Sequence, residues 1–335
     1  MNRYLAVIGY GSIGKRHVKN IIQRISNYKI VVLRNSKYSD KPPSNRVIFT
    51  NSLEEVFQLN PYAVLICNPA PFHIPTAKEF AKRGIHLFIE KPLSNFSEGV
   101  KDLIDLCNKK DLVAFVGYNL RFFPSLIFFK EKIENSQYGK ILSVQCEVGQ
   151  YLPNWRKGNN YKHEVSARKD LGGGVLLELS HEIDYLQWIF GDIKSVYGIE
   201  KKQSTLEVDV EDSVFAILEM VNKKDNSEIV VTMNMDFYRQ DQTRFCKVIF
   251  ERGTIIWDGI RGSVKKFEAD YEDYDEIFSI QNDRDISFKH ELDHFLECIS
   301  NNIKPKVDLY EGLKVINIIE AIKHSSRNGS KYIFN

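Results

Sequence analysis

Val7-Ile8-Gly9-Tyr10-Gly11-Ser12-Ile13-Gly14-Lys15-Arg16 sets a G-x-G-x-x-G turn between an apolar run and an amphipathic stretch. The run from Tyr4 to Ile8 reads as a first β-strand. Apolar residues at Ile13, Val18, Ile21, Ile22 and Ile25 then read as a helix, and strand, turn and helix together form a dinucleotide-binding βαβ unit. Gly9 is expected to make the tight turn, Gly11 to admit backbone N–H groups to a pyrophosphate, and Gly14 to let helix and strand approach. Ser12 and Ile13 lie at the helix N-terminus, where partial positive charge favours phosphate.

The second strand, Ile30-Val31-Val32-Leu33, ends at Arg34, followed by Asn35, Ser36 and Lys37. A carboxylate at this tip would bond the ribose 2′-hydroxyl of NAD, whereas Arg34 and Asn35 suit a 2′-phosphate. NADP(H) is therefore the favoured cofactor and NAD(H) the alternative. The competing reading is a hydrated basic turn.

The chain of 335 residues is long enough for two domains, and 43% hydrophobic with 27% charged residues is a globular composition. A net charge of +2 gives no field that would favour nucleic acid or an anionic membrane. The first strand begins without a hydrophobic leader, and no apolar run approaches the ~20 residues of a membrane span, so a cytoplasmic protein is expected. Cys67, Cys107, Cys146, Cys246 and Cys298 are scattered and odd in number, which argues for reduced thiols and against a metal site.

Further βα alternation follows: a strand at 47–50, a helix at 52–59, a strand at 63–67, a helix ending near Gly84, a strand at 86–89, a helix at 97–109 and a strand at 113–117. This completes a parallel Rossmann sheet with Asn68, Lys91 and Asn119 at strand ends, where ligands bind. Beyond about Phe122 the period changes to two, with strands at 141–151, 194–201, 213–221, 228–236, 245–251 and 254–258. A helix follows Gly172-Gly173-Gly174, and helices at 288–301 and 310–325 close the chain. The expected class is α/β plus α+β: a Rossmann domain over 1–121, then an open, mostly antiparallel sheet domain over 122–335.

GYGSIG, Glu90-Lys91-Pro92, Val116-Gly117-Tyr118-Asn119-Leu120-Arg121-Phe122, the three glycines leading to His181-Glu182-Ile183-Asp184, and Asp308-Leu309-Tyr310-Glu311-Gly312 occur in the order and spacing of one family. The chain resembles the Gfo/Idh/MocA oxidoreductases. The resemblance implies an NAD(P)-dependent dehydrogenase or reductase acting on CH–OH groups, which passes hydride between nicotinamide and a ring carbon of a sugar, inositol or nucleotide sugar. It implies catalytic roles for Lys91 and His181, cofactor contacts at Asn68, His73, Glu90 and Lys91, substrate contacts at Asn119, Arg121 and Asp184, and a homodimer or homotetramer. Hydride loss from carbon accompanies proton loss from oxygen, so a base near neutrality and a stabilising cation are the residue types required. Family members commonly carry an aspartate four residues before the histidine; here Glu178 stands three before, and its orienting role is correspondingly looser.

On the His181 helix, Leu179, Ile183, Leu186 and Phe190 form one stripe and Glu178, His181, Asp184, Tyr185 and Trp188 another, which reads as too polar for core. The loop holding Tyr151, Trp155, Arg156 and Arg168 suits a sugar face and an acidic or diphosphate group, a nucleotide sugar above all; the competing reading is a loop ordered by its own aromatic packing. The wording of the loop also resembles a subgroup of bacterial surface-sugar biosynthesis. His290-Glu291-Leu292-Asp293-His294 matches H-E-x-x-H, but an apolar stripe on its helix makes it a decoy, lying remote from the cofactor turn; no metal is expected. His163 has little support as a site residue, and His17 is expected to be exposed or packed against the loop. Two other readings stay open: a glycosidase of the same fold using NAD transiently, and a non-enzymatic NADP sensor.

Overall fold

The G-x-G-x-x-G stretch folds as its glycines require. In this computed structural model, which describes residues 3–34, 41–155, 158, 160–269, 272–280 and 285–334, β1 (Arg3–Ile8) turns through it into α1 (Ser12–Arg24). There follow β2 (Tyr28–Leu33), β3 (Val47–Thr50), α2 (Leu53–Gln58), β4 (Ala63–Ile66), α3 (His73–Ala81), β5 (His86–Glu90), α4 (Val100–Lys109) and β6 (Ala114–Gly117). Their strands pair in parallel in the order β3-β2-β1-β4-β5-β6. The order reverses between β1 and β4, and ligands of such sheets bind in the crevice beyond the strand ends at that point. β4 is buried throughout, as expected of a strand covered on both faces.

The second period continues with α5 (Pro124–Glu134), β7 (Ile141–Gly149), α6 (Val175–Glu178), α7 (His181–Phe190), β8 (Gly191–Lys201), β9 (Ser213–Asn222), β10 (Glu228–Asp236), β11 (Thr243–Phe250), β12 (Gly253–Asp258), β13 (Ser263–Glu268) and β14 (Asp275–Ser279). After α8 (Ile286–Asn301) and α9 (Leu309–Asn328), β15 (Tyr332–Ile333) joins the same nine-stranded sheet, ordered β14-β13-β12-β11-β7-β10-β9-β8-β15. The sheet is antiparallel except for β7 and β10, which run parallel. It is thus the mostly antiparallel sheet expected, but α5, β13, β14 and β15 add to the elements read from the sequence. The single helix expected after the glycines is two, interrupted at Leu179 and Ser180.

Two compact units emerge: residues 1–118 with Phe288–Ile316, and Asn119–Ser287 with residues 317–335. The expected split at 121/122 assigned all of 288–316 to the second domain. Contacts instead place that stretch in the first unit, where Arg24 on α1 meets Asp293 on α8 and Arg16 lies over the Phe288 ring. All five cysteines are buried and free. Among the described residues, no helix is long and apolar enough to cross a membrane.

Candidate functional site

In the first unit the turn after β1 is held from two sides: Gly9 N–H donates to Leu33 O at 3.0 Å, and Cys67 N–H donates to Ile8 O at 2.8 Å. Gly9 has φ +94, and a Cβ there would stand 2.9 Å from the Asn68 nitrogen; a Cβ on Gly14 would meet Gly9 O at 2.1 Å. Both positions therefore exclude a side chain. At Gly11 a Cβ would meet nothing within 4 Å, so the backbone borders open space at the start of α1. The first turn of that helix carries no acidic residue, and its leading N–H groups have no intrahelical acceptor. Open space, unblocked donors and a positive helix end form a cradle that fits a pyrophosphate.

Arg34 begins where β2 stops, its N–H donating to Thr50 O at 2.9 Å and its guanidinium lying 4.2 Å over the Phe49 ring. Asn35 lies outside the described residues. At the tip of β4, Asn68 donates through Nδ2 to Thr76 Oγ1 at 3.1 Å. His73 is 1% exposed, with Nε2 at 2.7 Å from Asn68 O and Nδ1 at 2.9 Å from Pro92 O. Burial pushes its pKa down despite those two carbonyls. Its ring thus ties the turn after β4 to the Lys91-Pro92 segment.

The end of β5 carries Glu90, whose Oε1 lies 2.5 Å from His17 Nε2 and whose Oε2 accepts from the Lys91 N–H at 3.2 Å. Of the two placements expected for His17, exposure is overturned: it is 0% accessible, edge-on to Phe88 and Phe288. Nor is the H-E-x-x-H helix remote from the cofactor turn. Glu291 comes from α8 to lie, fully buried, with His17 and Glu90, all three offering ligand-type atoms within 4.8 Å of one another. His290 is exposed and His294 accepts from the Lys306 N–H at 3.0 Å, so the two histidines of that motif have separate surroundings. Nothing in the sequence pointed to the Glu291 contact beyond its place beside Leu292 on an inward stripe.

In the second unit His181 is the first residue of α7 and is 8% exposed. Glu178, at the end of α6, accepts from Ser166 Oγ at 2.8 Å. Of the stripe read as too polar for core, His181, Asp184 and Tyr185 are buried, while Glu178 and Trp188 are half-buried. Asp184 is 0% exposed and takes Arg121 side-on, Nε at 3.0 and 3.1 Å and a terminal nitrogen at 2.7 Å. Glu182 takes Arg244 in the same way, at 2.8 Å, and Tyr185 stacks edge-on to Trp257 with its hydroxyl 3.1 Å from Cys146 Sγ. Buried carboxylates survive there because arginines neutralise them. Arg121 and Asp184, expected at the substrate, are thus engaged with each other.

Asn119 donates to Ser287 Oγ at 2.7 Å. In the aromatic loop, the Trp155 indole donates to Gln150 O and its ring meets Phe237 edge-on at 5.1 Å, while Arg168 is bonded by two nitrogens to Asp170. Tyr151 precedes the turn Leu152–Asn154 and is half-buried; Arg156 lies outside the described residues. Trp155 and Arg168 thus each have a partner within the second unit.

Residues 4–118 match the oxidoreductase family's NAD-binding Rossmann fold, and residues 130–333 match the same family's C-terminal alpha/beta domain, the Gfo/Idh/MocA pair. Over 96% of this chain and 95% of its own length, the myo-inositol 2-dehydrogenase of Thermotoga maritima is 24% identical. A levoglucosan dehydrogenase solved in complex with NADH superposes with a TM-score of 0.85 at 18% identity, covering 100% of both chains. The WlbA dehydrogenase of Bordetella pertussis, solved with NADH and UDP-GlcNAcA, gives 0.79 at 22% identity over 100% of this chain and 99% of that one.

Proposed function

Because the chain belongs to the Gfo/Idh/MocA oxidoreductase family, we propose that it moves hydride between a nicotinamide cofactor and a ring carbon of a sugar, inositol or nucleotide sugar. The observation that carries this is the cradle at Gly11, open where a pyrophosphate needs room and closed at Gly9 and Gly14 where helix and strand need contact. Bound nicotinamide would supply or accept the hydride; the remaining work falls to side chains. His181 moves the hydroxyl proton, Lys91 stabilises charge developing on that oxygen, and Glu178 orients the histidine. Tyr151, Trp155 and Asn119 are the assigned substrate contacts, with the aromatic faces on sugar C–H surfaces.

NADP(H) is the assigned cofactor in preference to NAD(H), on the ground that Arg34, not a carboxylate, directly follows β2. We place the protein in the cytoplasm, in keeping with five buried free thiols. We also assign a second copy of the chain to the open sheet face, where Tyr197 opposes Ile217, Ile199 opposes Phe215, and Val230 adds to the exposed apolar surface. The test is to mix the protein and NADP⁺ with a polyol, an anhydrosugar and a uridine-diphosphate sugar acid, and to follow the absorbance of reduced nicotinamide. Formation of reduced cofactor with one class supports the reading; no reduction with any of them, and no oxidation of NADPH by the corresponding ketones, contradicts it.

A further inference from the structure

We propose that His17, Glu90 and Glu291 form a buried proton-sharing cluster that positions Lys91, with Glu291 a positioning residue acting through Glu90. The importance of Lys91 rests on the reading above; the cluster itself does not. Three separate elements of the first unit contribute to it: α1 brings His17, β5 brings Glu90 and α8 brings Glu291. His17 and Glu291 are fully buried and Glu90 nearly so. Glu90 is the hinge of the arrangement, since one oxygen meets His17 while the other accepts the Lys91 N–H. Beyond Lys91, Pro92 O meets the His73 ring. The segment that presents Lys91 is thus fastened at Glu90 before it and at Pro92 after it.

Charge decides the state of the cluster. Two carboxylates with no water around them would repel strongly, and both oxygens of Glu291 are buried with no hydrogen-bond partner. A carboxyl group there is tolerated when it keeps its proton. Burial first, and then the charge of Glu90, push the Glu291 pKa well above the ordinary range, while Arg16 pulls the other way. Cys67, at the tip of β4, faces the same two acids, and burial pushes its thiol up as well, so it adds no charge. A shared metal ion is the other way to neutralise such a cluster. Without such an ion, His17 Nε2 and Glu90 Oε1 already meet each other at 2.5 Å.

The experiment uses the full chain and no substrate, so failure of Lys91 as a catalyst and failure of the cluster are separate results. Hydrogen exchange at the Lys91 amide and thermal melting are followed from about pH 5 to about pH 9 in wild type, Glu291→Gln and Glu291→Ala. An acid with a raised folded pKa stabilises least at high pH, so wild type should lose melting temperature, and Lys91 protection beyond the intrinsic pH effect, as pH rises. Glu291→Gln cannot ionise and should keep both. Glu291→Ala should exchange at Lys91 about 10-fold faster or more at every pH, with glutamine restoring protection. If the alanine variant does not fold, the glutamine comparison decides. Equal pH dependence in wild type and Glu291→Gln overturns the proposal, as does a stoichiometric metal in wild type that Glu291→Gln loses.

Discussion

Gly11 and Gly14 differ by three positions and by what a methyl group would meet. At Gly14 it would press on the Gly9 carbonyl, whereas at Gly11 it would project into open space. Gly14→Ala should therefore lower the melting temperature, and Gly11→Ala should melt as wild type yet bind cofactor at least about 10-fold more weakly, roughly 1.4 kcal/mol, by calorimetry. Equal effects on stability would contradict the assignment. At Arg34, replacement by alanine should shift preference from NADP towards NAD through a loss of NADP affinity, about 1.5–3 kcal/mol for a charge-assisted bond; an unchanged ratio of the two dissociation constants would remove Arg34 from cofactor choice. The two glycines were legible because their constraint lies in the turn itself. Glu291 was not. Its partners come from α1 and β5, and a helix periodicity says only which face turns inward, never which polar group waits there.

At the scale of the element, α7 shows how a polar stripe becomes core. Its two acids are met by Arg121 and Arg244, one before the helix in the chain and one well after it. Breaking one pair leaves an unpaired buried charge, so Arg121→Ala should cost about 3–5 kcal/mol in denaturant unfolding, while Arg121→Met combined with Asp184→Leu should recover much of that loss. If Arg121→Ala unfolds like wild type and instead weakens substrate binding, Arg121 is a substrate contact after all. Periodicity found a helix at His181 but missed the break before it and misjudged its buried face, since pairing across the chain leaves no mark on local pattern. α5 escaped notice for a related reason: Leu126, Phe129 and Ile133 make its stripe, but the helix begins at Pro124, directly after the motif ending at Phe122. In β13 and β14 charged residues dilute the alternation, and they lie at the end of the sheet.

For the whole molecule, the alternation of βα units and the later change of period were enough to read a Rossmann unit followed by a mostly antiparallel sheet. They could not reveal that Phe288–Ile316 returns to the first unit, because the order of elements in the chain does not carry the contacts of a late helix. The open sheet face makes a prediction at this scale. Ile217→Lys together with Val230→Lys should shift the protein towards monomer in sedimentation while leaving its melting curve intact, whereas an unchanged sedimentation coefficient would place any self-association elsewhere. The most direct test of the central claim is single-turnover hydride transfer, read from nicotinamide absorbance in wild type, Lys91→Met and His181→Asn. With cofactor saturating, both variants should transfer hydride about 10²- to 10⁴-fold more slowly; transfer at the wild-type rate in either one would contradict the account.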